Sequence, residues 1–259
     1  MTFLDSAPED VFASGAYWRE YYAELGHENA AAGEFLHEIA GPLARRRRLR
    51  VLDAGCGPTA LYWTLFVPGD NEVEGFDLNP ANIAAARLQL ENAKRGDTDA
   101  ALTVAAEHAV GLLRLEDTAA GHTRRKAKQI KSLAVGDLTK PWPAGRDQFD
   151  FVQSVFALEC LPRWEEFEFA LGEACRVLKP DGRLALVNVS RTDEWHCDGR
   201  GFPTLNLTRE RMEGCIAKAG LRLLECREVE SQDVSIRDQG YGSIILTAAE
   251  KSPSARPRT

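Results

Sequence analysis

One short stretch constrains this chain more than any other. Leu49-Arg50-Val51-Leu52-Asp53 is a β-type run that stops at Gly55-Cys56-Gly57. Residues 58–66 then read as a helix, Pro58 being tolerated in its first turn. A second strand over residues 72–76 ends on Asp77, and the Ala-rich stretch 80–94 reads as the next helix. Strand, glycine turn, helix, strand, acid and helix in that order make a βαβ unit. Such a unit commits the chain to an α/β architecture with a mostly parallel sheet covered on both faces.

The alternation continues. Residues 96–131 form a mostly helical insertion, amphipathic over 100–115. Strands follow over 132–135, ending at Gly136-Asp137, and over 148–155; a helix spans 164–178 and stops at Lys179-Pro180-Asp181-Gly182. A fifth strand covers 183–189, a polar and aromatic connector 190–206, and a helix 208–219. The last strands, 221–229 and 243–248, have only a short link, so at least one is antiparallel. Ahead of the sheet, residues 1–48 read as a helical segment. A Tyr-rich helix lies over 9–25, and a second runs from Asn29, as its N-cap, to Arg45. The run Arg45-Arg46-Arg47-Arg48 reads as a solvated helix end, where cations complement the macrodipole, rather than as a phosphate patch. Residues 49–250 are then the main domain, and 251–259 a disordered tail.

With 259 residues the chain can bury a core without disulfides. A net charge of −7 argues against a nucleic-acid binder, and no apolar run approaches the ~18 residues of a membrane span. The six cysteines and five histidines show no metal-ligand spacing, so no metal is expected. With no basic or apolar leader at the start, the expectation is a cytoplasmic protein in a reducing compartment. The oligomeric state is left open, a monomer included.

Ligands of open α/β sheets sit beyond the carboxyl ends of the strands. Gly55 permits a tight turn there, and Gly57 lets backbone approach a ligand. Gly55-Cys56-Gly57-Pro58-Thr59-Ala60 formally satisfies the G-x-G-x-x-A dinucleotide pattern, with Asp77 about 20 residues on to meet a ribose. An NAD-dependent oxidoreductase is therefore one alternative. Asp53 favours another, because a carboxylate beside the turn attracts the ammonium of S-adenosylmethionine and repels a pyrophosphate.

With the Leu178–Gly182 turn and the antiparallel ending, these features resemble the Rossmann-like class I methyltransferases. That resemblance implies a seven-stranded sheet with the last strand antiparallel. More closely, residues 17–251 resemble the nicotinamide, phenylethanolamine and thioether S-methyltransferase family. The matching motifs are Tyr17-Trp18-Arg19-Glu20-Tyr21-Tyr22, Gly55-Cys56-Gly57-Pro58-Thr59, Asp77 with Asn82, Asp137-Leu138-Thr139, and Ser154-Val155-Phe156-Ala157-Leu158-Glu159. The resemblance implies S-adenosylmethionine as cofactor, leaving as S-adenosylhomocysteine, and a small-molecule acceptor, most simply a nitrogen; O- or C-methylation is the alternative. It implies that Tyr17 and Tyr22 close over the cofactor as a lid, and that Asp53, Gly55, Cys56, Gly57 and Thr59 surround its methionine part. Asp77, Leu78 and Asn82 would hold the ribose, Asp137 and Leu138 the adenine, and Val155 would lie beneath. For the acceptor it implies Tyr22, Trp195, Thr204 and Asn188, with Glu159 acting on a substrate amine. The bland alternatives are aromatic packing for the tyrosines and a surface carboxylate for Glu159. Two departures stand out. Leu61, with Tyr62 beside it, replaces a family tyrosine, and Asn188 replaces the aspartate that anchors the amide in nicotinamide enzymes, which argues against nicotinamide itself.

Overall fold

The structure, a computed structural model, describes residues 14–232 and 240–252. The start of the expected first helix and most of the expected tail lie outside the described residues. The chain forms α1 (Ser14–Tyr22), α2 (His27–Ala44), β1 (Arg50–Ala54), a 3-10 turn (Gly57–Thr59), α3 (Ala60–Thr64), β2 (Glu72–Asp77) and α4 (Pro80–Arg95). It continues with α5 (Ala100–Leu113), α6 (Ala119–Gln129), β3 (Ile130–Val135), β4 (Phe149–Val155), α7 (Trp164–Val177) and β5 (Leu178–Ser190). The remainder is β6 (Glu194–Cys197), β7 (Arg200–Pro203), α8 (Arg209–Lys218), β8 (Arg222–Glu230) and β9 (Ser243–Glu250).

Seven strands make one sheet in the order β3-β2-β1-β4-β5-β9-β8. All pairs are parallel except those of β9, which runs antiparallel to both β5 and β8. The expected seven-stranded sheet with its last strand reversed is present. Every residue of β4 is buried, as a central parallel strand with helices on both faces requires. From β1 the chain winds to β2 and β3, then crosses back to place β4 on the other side of β1. That reversal opens a crevice beyond Ala54 and Val155.

Several local expectations change. Gly26, not Asn29, caps α2; Asn29 is buried in the first turn and its amide donates to the Tyr21 carbonyl at 2.6 Å, tying α1 to α2. The helix after the glycine turn splits into a 3-10 turn and the short α3, because the chain must bend sharply to bring Pro58 and Thr59 under cover. Lys179-Pro180-Asp181-Gly182 belongs to β5, as an irregularity in its pairing with β4 where Asp181 takes φ +63°. Lys251 is pinned here, its backbone N–H donating to the Gly182 carbonyl at 3.0 Å. The connector holds a hairpin, β6–β7, whose short polar strands carry no alternation to betray them.

The insertion has a structural task. In α6, the Lys126 ammonium donates to the carbonyls of Val67 and Gly69, and His122 Nε2 pairs with the Leu65 carbonyl at 2.9 Å. These carbonyls follow α3, so α6 satisfies acceptors that the glycine-turn helix leaves open. At the opposite edge, Arg47 pairs with the buried Asp150 at 2.9 Å and Arg48 with Glu72 at 3.3 Å. The arginine run thus anchors α2 to the amino ends of the strands.

Candidate functional site

The crevice beyond β1 is built by backbone conformation. Gly55 takes φ +71°, and a β-carbon there would stand 2.6 Å from Ala157 Cβ and 3.1 Å from Leu138 Cδ1. Only glycine lets the turn pass between those side chains. Gly57, at φ +54°, faces open space on its own β-carbon side apart from Thr59 Oγ1 at 3.8 Å. Thr59 is buried and spends its hydroxyl on the Cys56 carbonyl. Asp77 is fixed by the N–H groups of Gly57 and Asn79, both at 2.9 Å, and by the Asn82 amide at 3.0 Å. The Ser14 hydroxyl of α1 donates to Asn82 Oδ1 at 2.6 Å, so the first helix touches this cluster directly. Leu78 is half exposed, at 50%. Asp137 accepts from the Thr139 N–H and hydroxyl, and Val155 is buried at the end of β4.

Asp53 is different. It is 1% exposed, and neither carboxylate oxygen has a hydrogen-bond partner. Burial pushes it up to about 7; Gln153, opposite it on β4, offsets part of this, and the nearby Asp77 charge adds to it. A buried acid with no cation beside it, next to a second carboxylate at Asp77, fits a cationic group, as the ammonium of S-adenosylmethionine requires.

Next to the crevice lies a cavity of about 20 Å³, roughly room for one water. Its roof is aromatic. Tyr17 and Tyr22 pair through their hydroxyls at 3.1 Å, and the Trp195 ring sits 5.9 Å from Tyr17 and 5.6 Å from Tyr21. Tyr22 stacks on Trp18 at 5.2 Å and meets Tyr62 edge-on at 4.8 Å. Leu61 and Tyr62 are both buried, so the departure from the family tyrosine is absorbed into this packing. Burial pushes the hydroxyls of Tyr17, Tyr21, Tyr22 and Tyr241 upward, keeping them neutral.

Glu159 reaches this cavity and is 1% exposed, which overturns the surface-carboxylate alternative. Its Oε2 accepts from the Asn188 amide at 2.6 Å and its Oε1 from the Val189 N–H at 3.1 Å. Burial nevertheless pushes it up to about 7, against those hydrogen bonds. Asn188 therefore stands behind Glu159 and holds it. Thr204 is not brought to the cavity. Its hydroxyl donates to the Thr192 carbonyl, and it lines an open groove with Trp164 and Arg211.

Sequence reasoning missed Tyr241, Asn29 and Glu28. The first two line the cavity, and Glu28, beside Asn29, is 2% exposed with neither oxygen partnered. It also missed what carries the roof. The β6–β7 hairpin grips α1: the Tyr21 hydroxyl donates to the His196 carbonyl, the Asp198 N–H to Glu20 at 3.1 Å, and Ala16 packs with Cys197 and Phe202.

The strand order, the glycine turn after β1 and the acid closing β2 define a class I S-adenosylmethionine-dependent methyltransferase. The NNMT/PNMT/TEMT family model matches residues 4–252, and the chain belongs to that family. It is 26% identical over 212 residues to the indolethylamine N-methyltransferase of Mus musculus, covering 79% of this chain and 78% of that one. It is 25% identical over 247 residues to the nicotinamide N-methyltransferase of Sus scrofa, covering 92% of each. A solved S-adenosylmethionine-dependent methyltransferase of Methanosarcina mazei shares the fold, with a TM-score of 0.56 at 18% identity over 80% of this chain and 94% of that one. Among the described residues no helix is long and apolar enough to cross a membrane.

Proposed function

We propose that this enzyme methylates a nitrogen of a small-molecule amine or azaheterocycle. The observation that carries the reading is Glu159: a buried carboxylate, braced by Asn188 and Val189, set into an aromatic cavity with no Lys, Arg or His among its described lining residues. The names of the murine and porcine relatives, both N-methyltransferases, support it.

S-adenosylmethionine supplies an electrophilic methyl carbon on a positively charged sulfur, and becomes S-adenosylhomocysteine. Asp53 would hold its ammonium, Gly55, Cys56, Gly57 and Thr59 its methionine chain, and Asp77, Leu78 and Asn82 its ribose. Asp137 and Leu138 would flank the adenine, over Val155. Tyr17 and Tyr22 would close the crevice from α1, which acts as the lid of the 1–48 segment. Holding the reacting groups in line can lower the barrier by ~7–11 kcal/mol.

The acceptor side acts on charge. An amine must lose its proton before it attacks, and a carboxylate held near neutrality is suited to take it. As the nitrogen then becomes cationic, the faces of Trp195 and Tyr22 stabilise the developing charge; for an azaheterocycle, which needs no base, Glu159 stays ionised and adds its own charge. Asn188 acts by positioning Glu159. A reducing, cytoplasmic setting suits the six cysteines, all of them free thiols.

Transfer of labelled methyl to a panel of amines, azaheterocycles, thioethers and phenols tests the reading. Turnover of nitrogen compounds is expected. Turnover confined to phenols or carbon acids would remove the nitrogen assignment.

A further inference from the structure

One row of side chains crosses the sheet on the face that packs against α2 and α3. It reads Leu133, Gly75, Asp53, Gln153, Ala185 and Ala248, each the Cα partner of the next across five neighbouring strand pairs. Apart from Asp53 and Gln153 the row is apolar or glycine, as a face covered by helices requires. Those two stand side by side, on the ends of β1 and β4 that lead into the crevice. Along β4 the same face puts Phe151 and Val155 on either side of Gln153, both of them in the hydrophobic core.

Gln153 is 0% exposed, and neither its Oε1 nor its Nε2 has a hydrogen-bond partner among the described residues. Both Asp53 oxygens are in the same condition. A buried amide without partners destabilises the fold, and an apolar residue of β4 in its place would avoid that cost. The amide is near enough to draw the Asp53 carboxyl downward against the push of burial, although the two do not meet at hydrogen-bonding distance. Gly75, on the other flank of Asp53, contributes no side chain. Gln153 is therefore the polar neighbour that the row gives Asp53. Such a pair is complete only when the acid is charged: a carboxylate accepts a charge-assisted hydrogen bond from the amide, and a neutral carboxyl attracts it weakly.

We propose that Gln153 is a positioning residue for the cofactor, its amide N–H steadying the ionised Asp53 carboxylate that takes the ammonium of S-adenosylmethionine. This rests on the reading of Asp53 given above and adds a residue to it. The other titratable groups near Asp53 are Asp77, Cys56 and Tyr22. Asp77 is engaged by Gly57, Asn79 and Asn82, and burial keeps the Cys56 thiol and the Tyr22 hydroxyl neutral. The pair closes as the cation arrives, because that is when Asp53 becomes fully charged.

Calorimetry on the full chain tests this without turnover. The probes are S-adenosylhomocysteine and deamino-S-adenosylhomocysteine, which lacks only the amino group. The wild type is expected to prefer the first by about 10–100-fold. Gln153→Met, of similar volume and with no donor, is expected to cut that preference about tenfold and to leave affinity for the deamino probe unchanged. Without its donor Asp53 keeps its proton to higher pH, so the pH below which S-adenosylhomocysteine binding weakens should move up; a general packing defect lowers affinity alike at every pH. In an Asp53→Asn background Gln153→Met should remove nothing further. Should Gln153→Met not fold, Gln153→Leu serves instead. A preference that survives in the variant, an equal loss on both probes, an unmoved pH limb or additive losses in the double variant overturns the proposal. The Asp53 reading fails separately, when the wild type binds both probes equally; a wild-type preference untouched by Gln153→Met leaves Asp53 standing and removes Gln153.

Discussion

Replacing Asp53 with Asn removes one carboxylate charge from the crevice with almost no change of volume. The ordinary carboxyl value of 3.8 applies to the unfolded chain, and the folded chain holds this group at about 7. Between those values the folded protein binds the proton more tightly, so unfolding free energy falls as pH rises through the window and levels off above it. The gap of about 3 units corresponds to about 4 kcal/mol at 1.36 kcal/mol per unit, an upper limit for the penalty the empty crevice carries above pH 7. Unliganded Asp53→Asn should therefore melt higher than wild type at pH 8, by about 2–4 °C for each kcal/mol recovered, and match it near pH 4. Glu159 shifts in the same sense, so the single variant keeps part of the pH slope and the double variant with Glu159→Gln loses most of it. Affinity should move the other way. Without its counter-charge the ammonium of S-adenosylhomocysteine forfeits about 1.5–3 kcal/mol, or about 10–100-fold in Kd. Scanning fluorimetry across pH and calorimetry with S-adenosylhomocysteine read both. An unchanged melting profile together with unchanged affinity would refute the reasoning.

Other outcomes follow from the same geometry. Glu159→Gln should lower kcat/KM for amines and abolish the rate limb with an apparent pKa near 7, leaving cofactor-product affinity intact; a surviving limb assigns that proton elsewhere. Gly55→Ala pushes a β-carbon into Ala157 at 2.6 Å in a left-handed backbone, so a stability loss of about 1–3 kcal/mol in urea denaturation and loss of S-adenosylhomocysteine binding are expected. Gly33→Ala meets the Phe66 ring at 2.5 Å, and should cost stability in the same assay with cofactor-product affinity preserved in the folded fraction. Burial holds His122 down at about 4, so the unfolded chain takes up its proton first and stability falls as pH drops from 6.5 toward 4; His122→Asn should flatten that part of the melting profile.

The crevice beyond β1 was legible because it is written in backbone. A glycine turn after a strand and an acid closing the next strand are short-range signals, and sheet topology alone brings them together. The acceptor half is made of side chains whose meaning is tertiary. Glu159 reads in sequence as an acid after a strand, and only its burial against Asn188 and Val189 sets it apart. Tyr241, between two glycines, has no periodic neighbour to reveal that it lines the same cavity as Glu159. The β6–β7 strands are too short and polar to register, so Trp195 could be singled out while the frame presenting it could not. Thr204 lay near Trp195 in sequence, but the return of the chain after β7 turns it to another surface.

The hairpin's grip on α1 carries a consequence for how such an enzyme diversifies. Two short stretches, 14–22 and 194–203, supply most of the aromatic ceiling, and the first of them also touches the cluster around Asp77. Changes confined to 194–203 can retune which molecule is accepted, whereas changes in 14–22 also reach the cofactor crevice through Tyr17, Tyr22 and the Ser14–Asn82 bond. The two must drift together, because a ceiling altered on one side alone loses the seam that joins them.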